Sequence, residues 1–527
     1  MKYVIVGGVT GGASAAARLR RLDEEADILI FDKSPHVSYS NCSLPYRLSE
    51  TIDETEKLIL NSPQKLKGMY NIETCVSSEV VSIDRKGKKV RVKDLVNQRE
   101  YEEHYDKLIL SPGAYAVVPP IKGIEGANLF TIKNVVDIDR FYTFLKTGDV
   151  KKVSVVGGGF IGVEVAVNLR EAGYEVSLVE AMPQILRTYD YDMVQILQKE
   201  MADKGVELIV EDQVMEFQKS NMLLKSGRIV EGEAVVMAVG IRPDTALARE
   251  AGLALNQRGA ILVDGNYRTS DPDIYAIGDA IEVFHALTHK PMMLQLAGPA
   301  QKQAREAADH IYGRIVRNTG YIGSSCIKVF DYNAASTGLT AAQCEQEGIP
   351  YDIVYVIPKD KVSIMPDSTY LHYKLIYEIP TGQVLGVQVI SRGDAAKRAD
   401  IVATLLKFAG TVDDLRDLEL CYAPPFSSAK DAGNYAGLAA CNLLQKTFRQ
   451  VRTDQVRSLV EEIPKDRPVY LNCKTGQTSY NAVLALQGKG FRNVYNISGG
   501  FLGLCFFEYF NDRTKNREPI VTAYSFE

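Results

Sequence analysis

Two glycine-rich turns, each set between an apolar strand pattern and a helix pattern, restrict this chain more than any other feature. The first runs Gly7-Gly8-Val9-Thr10-Gly11-Gly12 after Tyr3-Val4-Ile5-Val6. An Ala-rich helix pattern follows over 13–22, and the strand pattern Ile28-Leu29-Ile30-Phe31 then ends at Asp32. Gly7 and Gly12 fit G-x-G-x-x-G, with Val9 in place of the middle glycine. The second turn, Gly157-Gly158-Gly159-Phe160-Ile161-Gly162, fits in full after Val153–Val156; a helix pattern runs to Gly173, and Val176–Val179 ends at Glu180. Strand, turn, helix, strand and terminal acid make a βαβ unit in which glycines allow close backbone approach. The helix N-terminus takes a pyrophosphate and the acid takes a ribose hydroxyl. Two such units imply an α/β fold with two Rossmann-like domains, one dinucleotide in each.

Glu180 would accept a hydrogen bond from a 2′-hydroxyl and repel a 2′-phosphate, and no Arg or Lys follows it before Arg187. The second unit is therefore expected to prefer NADH over NADPH.

Between the units lies Ser40-Asn41-Cys42-Ser43-Leu44-Pro45-Tyr46. Pro45 suits a first helical turn, which places Cys42 just before a helix start, where the positive end of the dipole favours thiolate. With no nearby second cysteine, Cys42 can hold an outside sulfur as a mixed disulfide or persulfide, or an oxygen as sulfenic acid. The eight cysteines contain no C-x-x-C pair. That is neither a disulfide framework nor a zinc site, and it fits a reducing cytoplasm. His285 and His289 lack the acid of a metal motif, so no metal is expected. A net charge of -5 gives no case for nucleic acid or an anionic membrane. No apolar run reaches membrane-span length. Met1-Lys2 leads straight into a strand pattern, so no leader is expected.

Other residues stand where chemistry is expected. Ser14, Arg18 and Arg21 share one face of the first helix. They could clamp a phosphate-bearing substrate, or simply form a solvated helix end. The strand pattern Lys107–Leu110 stops at Ser111-Pro112-Gly113, and Ile274–Ile277 leads to Gly278-Asp279, a carboxylate placed to bond a ribityl chain. A long helix starts at Leu296-Ala297. Residues 234–240 read as a buried strand. From about 325 an α+β pattern without a nucleotide turn takes over, with strands at Ile327–Phe330, Tyr351–Val356, His372–Tyr377 and Val384–Ile390 and a helix over 395–409. It leads to Cys421-Tyr422-Ala423-Pro424-Pro425-Phe426, expected to be extended, and to Lys430. Tyr422 there is either an interface or a site residue. The last eighty residues carry a helix over 453–462, a strand at Pro468–Asn472, the loop Cys473-Lys474-Thr475-Gly476-Gln477-Thr478-Ser479 and the turn Ser498-Gly499-Gly500. Cys473 lies where strand gives way to helix, with backbone N–H groups facing the sulfur.

Asn41-Cys42-x-Leu44-Pro45-Tyr46, the Gly-Gly-Val-x-Gly-Gly turn, Ser111-Pro112-Gly113-Ala114, Tyr275-Ala276-Ile277-Gly278-Asp279 and Tyr422-Ala423-Pro424-Pro425 together resemble the single-cysteine coenzyme A disulfide reductases over roughly residues 1–445. The Cys473 loop and Asn496-Ile497-Ser498-Gly499-Gly500 make the tail resemble a rhodanese, a fusion similar to the NADH-dependent persulfide reductases. The resemblance implies an FAD-binding domain at 1–120 and 249–324, an NAD-binding domain at 121–248, a dimerisation domain at 325–445 and a rhodanese-like tail at 446–527. It implies flavin contacts at Gly7, Gly8, Gly11, Gly12, Asp32, Lys33, Asn41, Ser111, Gly113, Asp279 and Ala297, and nicotinamide-dinucleotide contacts at Gly157, Gly159, Gly162 and Glu180. Coenzyme A would be held by Ser14, Arg18, Arg21, Ser38 and Asn41, with Tyr422 and Lys430 reaching the neighbouring subunit's site in a homodimer.

Arg47 occupies the place of the second cysteine in two-cysteine flavin disulfide reductases, in keeping with the single-cysteine pattern. Two departures from the family stand out. Ile364-Met365-Pro366 stands where the family shows Tyr-Tyr-Pro, which leaves Tyr422 as the one tyrosine to assist Cys42. The tail shows no opening strand ending in Asp-Val-Arg and has Thr478 where an arginine is common, so it is expected to be a truncated rhodanese. The expected activity is NADH-driven reduction of persulfide, polysulfide or coenzyme A disulfide through Cys42, with Cys473 assisting. The alternatives are an NADH peroxidase or oxidase cycling through sulfenic acid, and a redox-responsive binding protein.

Overall fold

The computed structural model describes residues 1–456, 468–490, 492–518, 520–521 and 524–526. The chain forms two compact units. The first comprises Met1–Gly157, Asn168–Val176 and Gln213–Tyr321; the second comprises Gly158–Val167, Ser177–Asp212 and Ile322–Glu527.

In the first unit, five parallel strands lie in the order Ile274–Ala276, Lys107–Leu110, Lys2–Val6, Asp27–Phe31 and Glu73–Cys75. Their apolar runs are covered on both faces, as parallel strands require, and Tyr3, Val4, Ile5, Ile30, Leu108 and Ile109 are buried. Helix Thr10–Leu22 crosses between the two central strands, and helix Ala297–Ile311 packs along it. Small side chains permit that approach: Ala15 and Ala16 are buried on one helix, Ala304, Ala307 and Ala308 on the other. Strands Lys152–Val156, Ala234–Met237 and Leu129–Phe130 form a second parallel set. The strand expected over 234–240 ends at Met237, and the chain turns at Gly240, at φ +122°.

In the second unit, five antiparallel strands run Ser325–Val329, Tyr332–Gly338, Val384–Ser391, Leu371–Glu378 and Tyr351–Val356. The tail adds three parallel strands in the order Gln450–Val451, Val494–Ile497 and Val469–Leu471. This corrects the expectation of a missing opening strand. Gln450 and Val451 pair with Asn496 and Ile497, although no Asp-Val-Arg marks them. Of the helix expected over 453–462, Thr453–Gln455 is a 3-10 turn, and 457–467 lie outside the described residues.

The tail is fixed to the antiparallel sheet at Tyr355. The Gly499 N–H and the Ser498 hydroxyl both donate to the Tyr355 carbonyl, at 3.2 and 3.1 Å. The Tyr355 hydroxyl bonds His372 Nδ1 at 2.6 Å, and the Phe506 ring stands edge-on to the His372 ring. Nearby, Lys374 is buried between Asp190 and Asp192, at 3.0 and 2.7 Å. Among the described residues no helix is long and apolar enough to cross a membrane.

Candidate functional site

The two glycine turns meet their acids in the same way. Asp32 accepts from the N–H of Gly8 at 2.7 Å and of Ser34 at 2.8 Å. Glu180 accepts from the N–H of Gly158 at 2.6 Å and of Met182 at 2.8 Å. Each carboxylate is thus locked against its turn, two residues before one donor and more than twenty after the other. Gly7 and Gly157 hold φ +93° and +108°, and a Cβ on either would lie within 2.4 Å of a backbone carbonyl oxygen, that of Ser111 or Ala238. Only glycine allows this strand-to-turn approach. By contrast, a Cβ on Gly113 or Gly159 would meet no atom of the described residues within 4 Å, so space remains where a dinucleotide would pass. Burial pushes the Asp32 carboxyl above its ordinary range, against the pull of the Gly8 and Ser34 N–H groups.

Around the first turn, Ser111 lies against Gly11, and helix Ala297–Ile311 begins with Ala297 exposed and no side-chain cap. Asn41 Oδ1 is buried and accepts no hydrogen bond among the described residues, as expected of a group waiting for a ligand donor. Asp279 sits in a 3-10 turn with Lys133 Nζ 3.4 Å from its carboxylate. Lys33 is paired with Asp244 at 2.8 Å.

Cys42 is exposed. It does not precede an α-helix, as its sequence suggested. It is the second residue of the 3-10 helix Asn41–Arg47. Pro45 has no N–H to give the Asn41 carbonyl, so the segment closes through shorter bonds, Ser43 N–H to Ser40 O and Leu48 N–H to Pro45 O. The dipole argument for its thiolate loses its basis. Arg47 is buried, with its guanidinium 3.5 Å from the centre of the Tyr142 ring.

The helix face of Ser14, Arg18 and Arg21 points away from the core, but its charges are not equally available. Arg18 forks onto Asp309, with Nε 2.9 Å from Oδ1. Arg21 is exposed beside the Tyr70 ring. The intervening Arg20 is buried and bonds the carbonyls of Tyr70, Asp23, Glu24 and Asn71, a structural clamp. Ser38 is buried at φ +51° and its hydroxyl accepts from Asn61 Nδ2 at 2.9 Å.

In the second unit, Gly162 lies within helix Phe160–Glu171. Burial pushes Glu164 on that helix up to about 7. Its one sequence signal was a lone acid in an apolar run. Tyr422 and Phe426 are exposed, and Lys430 lies 5.5 Å from the Tyr435 ring. Pro424–Phe426 forms a turn closed by the Phe426 N–H to Ala423 O, which corrects the expectation of a fully extended segment.

Cys473 occupies the predicted strand-to-helix loop. Gly476 starts helix Gln477–Gly488 at φ +86°. The Phe501 and Leu502 N–H groups bond the carbonyls of Cys473 and Lys474, at 2.8 and 2.9 Å. This contact fixes Gly500, where a Cβ would fall 2.2 Å from Gly476 N. Burial raises the thiol, but the Ser479 hydroxyl and the N–H groups of Ser479, Thr475 and Gly476 hold it below the usual range. In Cys75, Cys344, Cys441 and Cys505 burial prevails and the thiol is pushed up, to about 12 in Cys344.

Known proteins share this layout. The pyridine nucleotide-disulphide oxidoreductase family model matches residues 1–304, its dimerisation domain 324–432, and the rhodanese-like domain 439–505. A coenzyme A disulfide reductase of Staphylococcus aureus is 32% identical over 440 residues, 83% of this chain and 99% of that protein. The crystal structure of reduced Bacillus anthracis CoADR-RHD aligns at TM-score 0.92 and 39% identity, covering 97% of this chain and 98% of the other. A NAD-dependent persulfide reductase from A. fulgidus aligns at 0.90 and 29% identity, covering 96% and 100%. On these matches, and on turns and acids built as the family's nucleotide folds require, the chain belongs to the pyridine nucleotide-disulphide oxidoreductases, as a flavin enzyme like coenzyme A disulfide reductase with a dimerisation domain and a C-terminal rhodanese-like domain.

Proposed function

We propose that this enzyme uses NADH to reduce sulfur–sulfur bonds of persulfides, polysulfides or coenzyme A disulfide at Cys42. The observation that carries the reading is an exposed cysteine whose expected redox partner position is filled by the buried, ring-stacked Arg47. With no internal disulfide to close, the Cys42 sulfur is left to bond an external one.

The chain's residues divide the work. Asp32 and Glu180, each locked by two N–H groups, take the ribose hydroxyls of FAD and NADH, and Glu180 disfavours the 2′-phosphate of NADPH. Asn41, Asp279 and the start of helix Ala297–Ile311 would hold the flavin. Ser14, Ser38 and Arg21 receive the phosphate-bearing part of coenzyme A. The Cys42 thiolate attacks one sulfur of the acceptor, forms a new S–S bond and expels the other sulfur as thiolate. When bound, flavin and nicotinamide would supply two electrons; with these and one proton, Cys42 returns to thiolate and the held sulfur leaves as thiol or hydrosulfide. Tyr422 and Lys430, both exposed, complete the site across a homodimer. Cys473 takes up sulfane sulfur and raises its supply to the reductase centre.

Anaerobic NADH oxidation against a panel of acceptors tests the reading. Purified protein should be yellow, prefer NADH to NADPH and turn over with at least one of persulfide, polysulfide or coenzyme A disulfide. Turnover with peroxide or oxygen alone would replace it by the sulfenic acid reading.

A further inference from the structure

We propose that Ser479, set by Asn496, is the positioning residue of the Cys473 loop, and that the side-chain amide of Asn496 decides whether the serine proton points at the sulfur. The proposal deepens the reading of Cys473 as a sulfur carrier and rests on that reading for its use.

Ser479 lies in the first turn of helix Gln477–Gly488 and Asn496 on strand Val494–Ile497; they are 3% and 6% exposed. The Ser479 oxygen is 3.4 Å from Cys473 Sγ, 3.1 Å from the Gly476 carbonyl oxygen, and in a short hydrogen bond with Asn496 Oδ1. One hydroxyl proton thus faces three acceptors. Burial restricts its choice to these protein groups. A bland role exists: the bond to Gly476 O merely steadies the helix start. The sulfur and the amide are what that role leaves unexplained.

An asparagine amide offers an acceptor on one edge and two donors on the other, and a half-turn about its Cβ–Cγ bond exchanges the edge that faces a neighbour. With Oδ1 toward the serine, the amide draws the hydroxyl proton, and a neutral Cys473 S–H donates to the serine oxygen. With Nδ2 toward the serine, the amide donates to that oxygen and the hydroxyl proton turns to Cys473 Sγ. The second arrangement suits a thiolate, whose own proton has gone to solvent, because hydrogen bonds to the charged form favour it. The loop N–H groups of Thr475 and Gly476 act on the same sulfur from the backbone. Ser479 is the side-chain contribution, and Asn496 its switch.

The test is the pH dependence of Cys473 alkylation by iodoacetamide in the full-length protein, read by peptide-resolved mass spectrometry. Ser479→Ala should slow alkylation about tenfold at neutral pH and move the midpoint up by about one pH unit, while Ser479→Thr stays near the parent. Asn496→Ala should act in the same direction in the parent background and add nothing on top of Ser479→Ala. An unchanged profile in Ser479→Ala, or an Asn496→Ala effect equal in both backgrounds, overturns the proposal. Alkylation of the buried Cys505 reports any opening of the tail. If Ser479→Ala opens it, Asn496→Asp decides instead: its carboxylate can only accept the serine proton, so an unmoved midpoint overturns the proposal. Loading of Cys473 by polysulfide is measured separately. A shifted titration without loading would end the sulfur-carrier reading and leave the Ser479 role standing.

Discussion

Cys42 and Cys473 both lie at or just before the start of a helical segment, but the fold gives them different surroundings. Cys42 is exposed on a seven-residue 3-10 helix that ends in a buried arginine stacked on a tyrosine ring. Cys473 is half-buried, ringed by loop N–H groups and a serine hydroxyl, and held by the Gly499–Gly500 turn that is itself anchored on Tyr355. A sulfur that must meet large substrates and give up its bond to a cofactor needs access. A sulfur that must wait as thiolate or carry a sulfane atom needs fixed donors. Activity and acid sensitivity can therefore separate the two.

The largest expected effect is at Cys42. Cys42→Ser should abolish turnover with persulfide and disulfide acceptors, by at least a hundredfold, while NADH still bleaches the flavin in stopped-flow. Retained acceptor turnover would move the redox role elsewhere.

The next concerns the arginine face. Arg21→Ala should raise KM for coenzyme A-based substrates about tenfold and leave inorganic polysulfide nearly unchanged, since charge-assisted bonds to phosphate are among the stronger ones. Arg18→Ala should show less substrate discrimination, because its guanidinium is already committed to Asp309. Equal effects of Arg21→Ala on both acceptors would mark a solvated helix end.

Acid should affect the Cys473 side first. Burial holds the His372 imidazole down at about 3, where it accepts from or donates to Tyr355 in its neutral form. An unfolded chain takes up this proton near the ordinary histidine value of 6.5, so the stability contributed above that pH is lost progressively as pH falls from about 6.5 toward 3. At pH 5 the loss is about 2 kcal/mol. Thermal melts at pH 7 and pH 5, with Cys505 alkylation reporting the tail, should show earlier opening in acid. His372→Gln should remove part of that dependence, and an identical dependence in the variant would clear His372 of the role.

The smallest effect is expected from Cys473→Ser, a several-fold fall in turnover with persulfide or polysulfide and none with coenzyme A disulfide. A tethered carrier raises local concentration up to the millimolar range and so assists without being essential. Unchanged kinetics with every sulfur donor would reduce Cys473 to a structural residue.

Much of the site was legible because it is local. A glycine turn and an acid some twenty residues on are fixed by the length of one helix and one strand, and both pairs closed as their spacing required. Lys133 beside Asp279 and Asp309 on Arg18 were missed because the partners lie 146 and 291 residues apart, whereas Asn61 on Ser38 and Asn496 on Ser479 are near in sequence but belong to no turn-and-acid spacing that fixes the chain between them. The 3-10 geometry at Cys42 was misread because a proline that suits a first helical turn also denies an α-helix its bond to Asn41. The tail's opening strand was missed because two residues carry no periodicity.

By itself the sequence determined which backbones could form and which sulfur atoms exist: two βαβ units, a second cysteine absent at Arg47, and a polar, glycine-containing loop after Cys473. Those are matters of covalent identity and of hydrogen bonding within one stretch of chain. The tertiary structure decided which charges are already spent, which thiol is exposed and which is drawn toward thiolate. These properties depend on burial and on donors brought together by packing, and neither has a fixed distance along the chain.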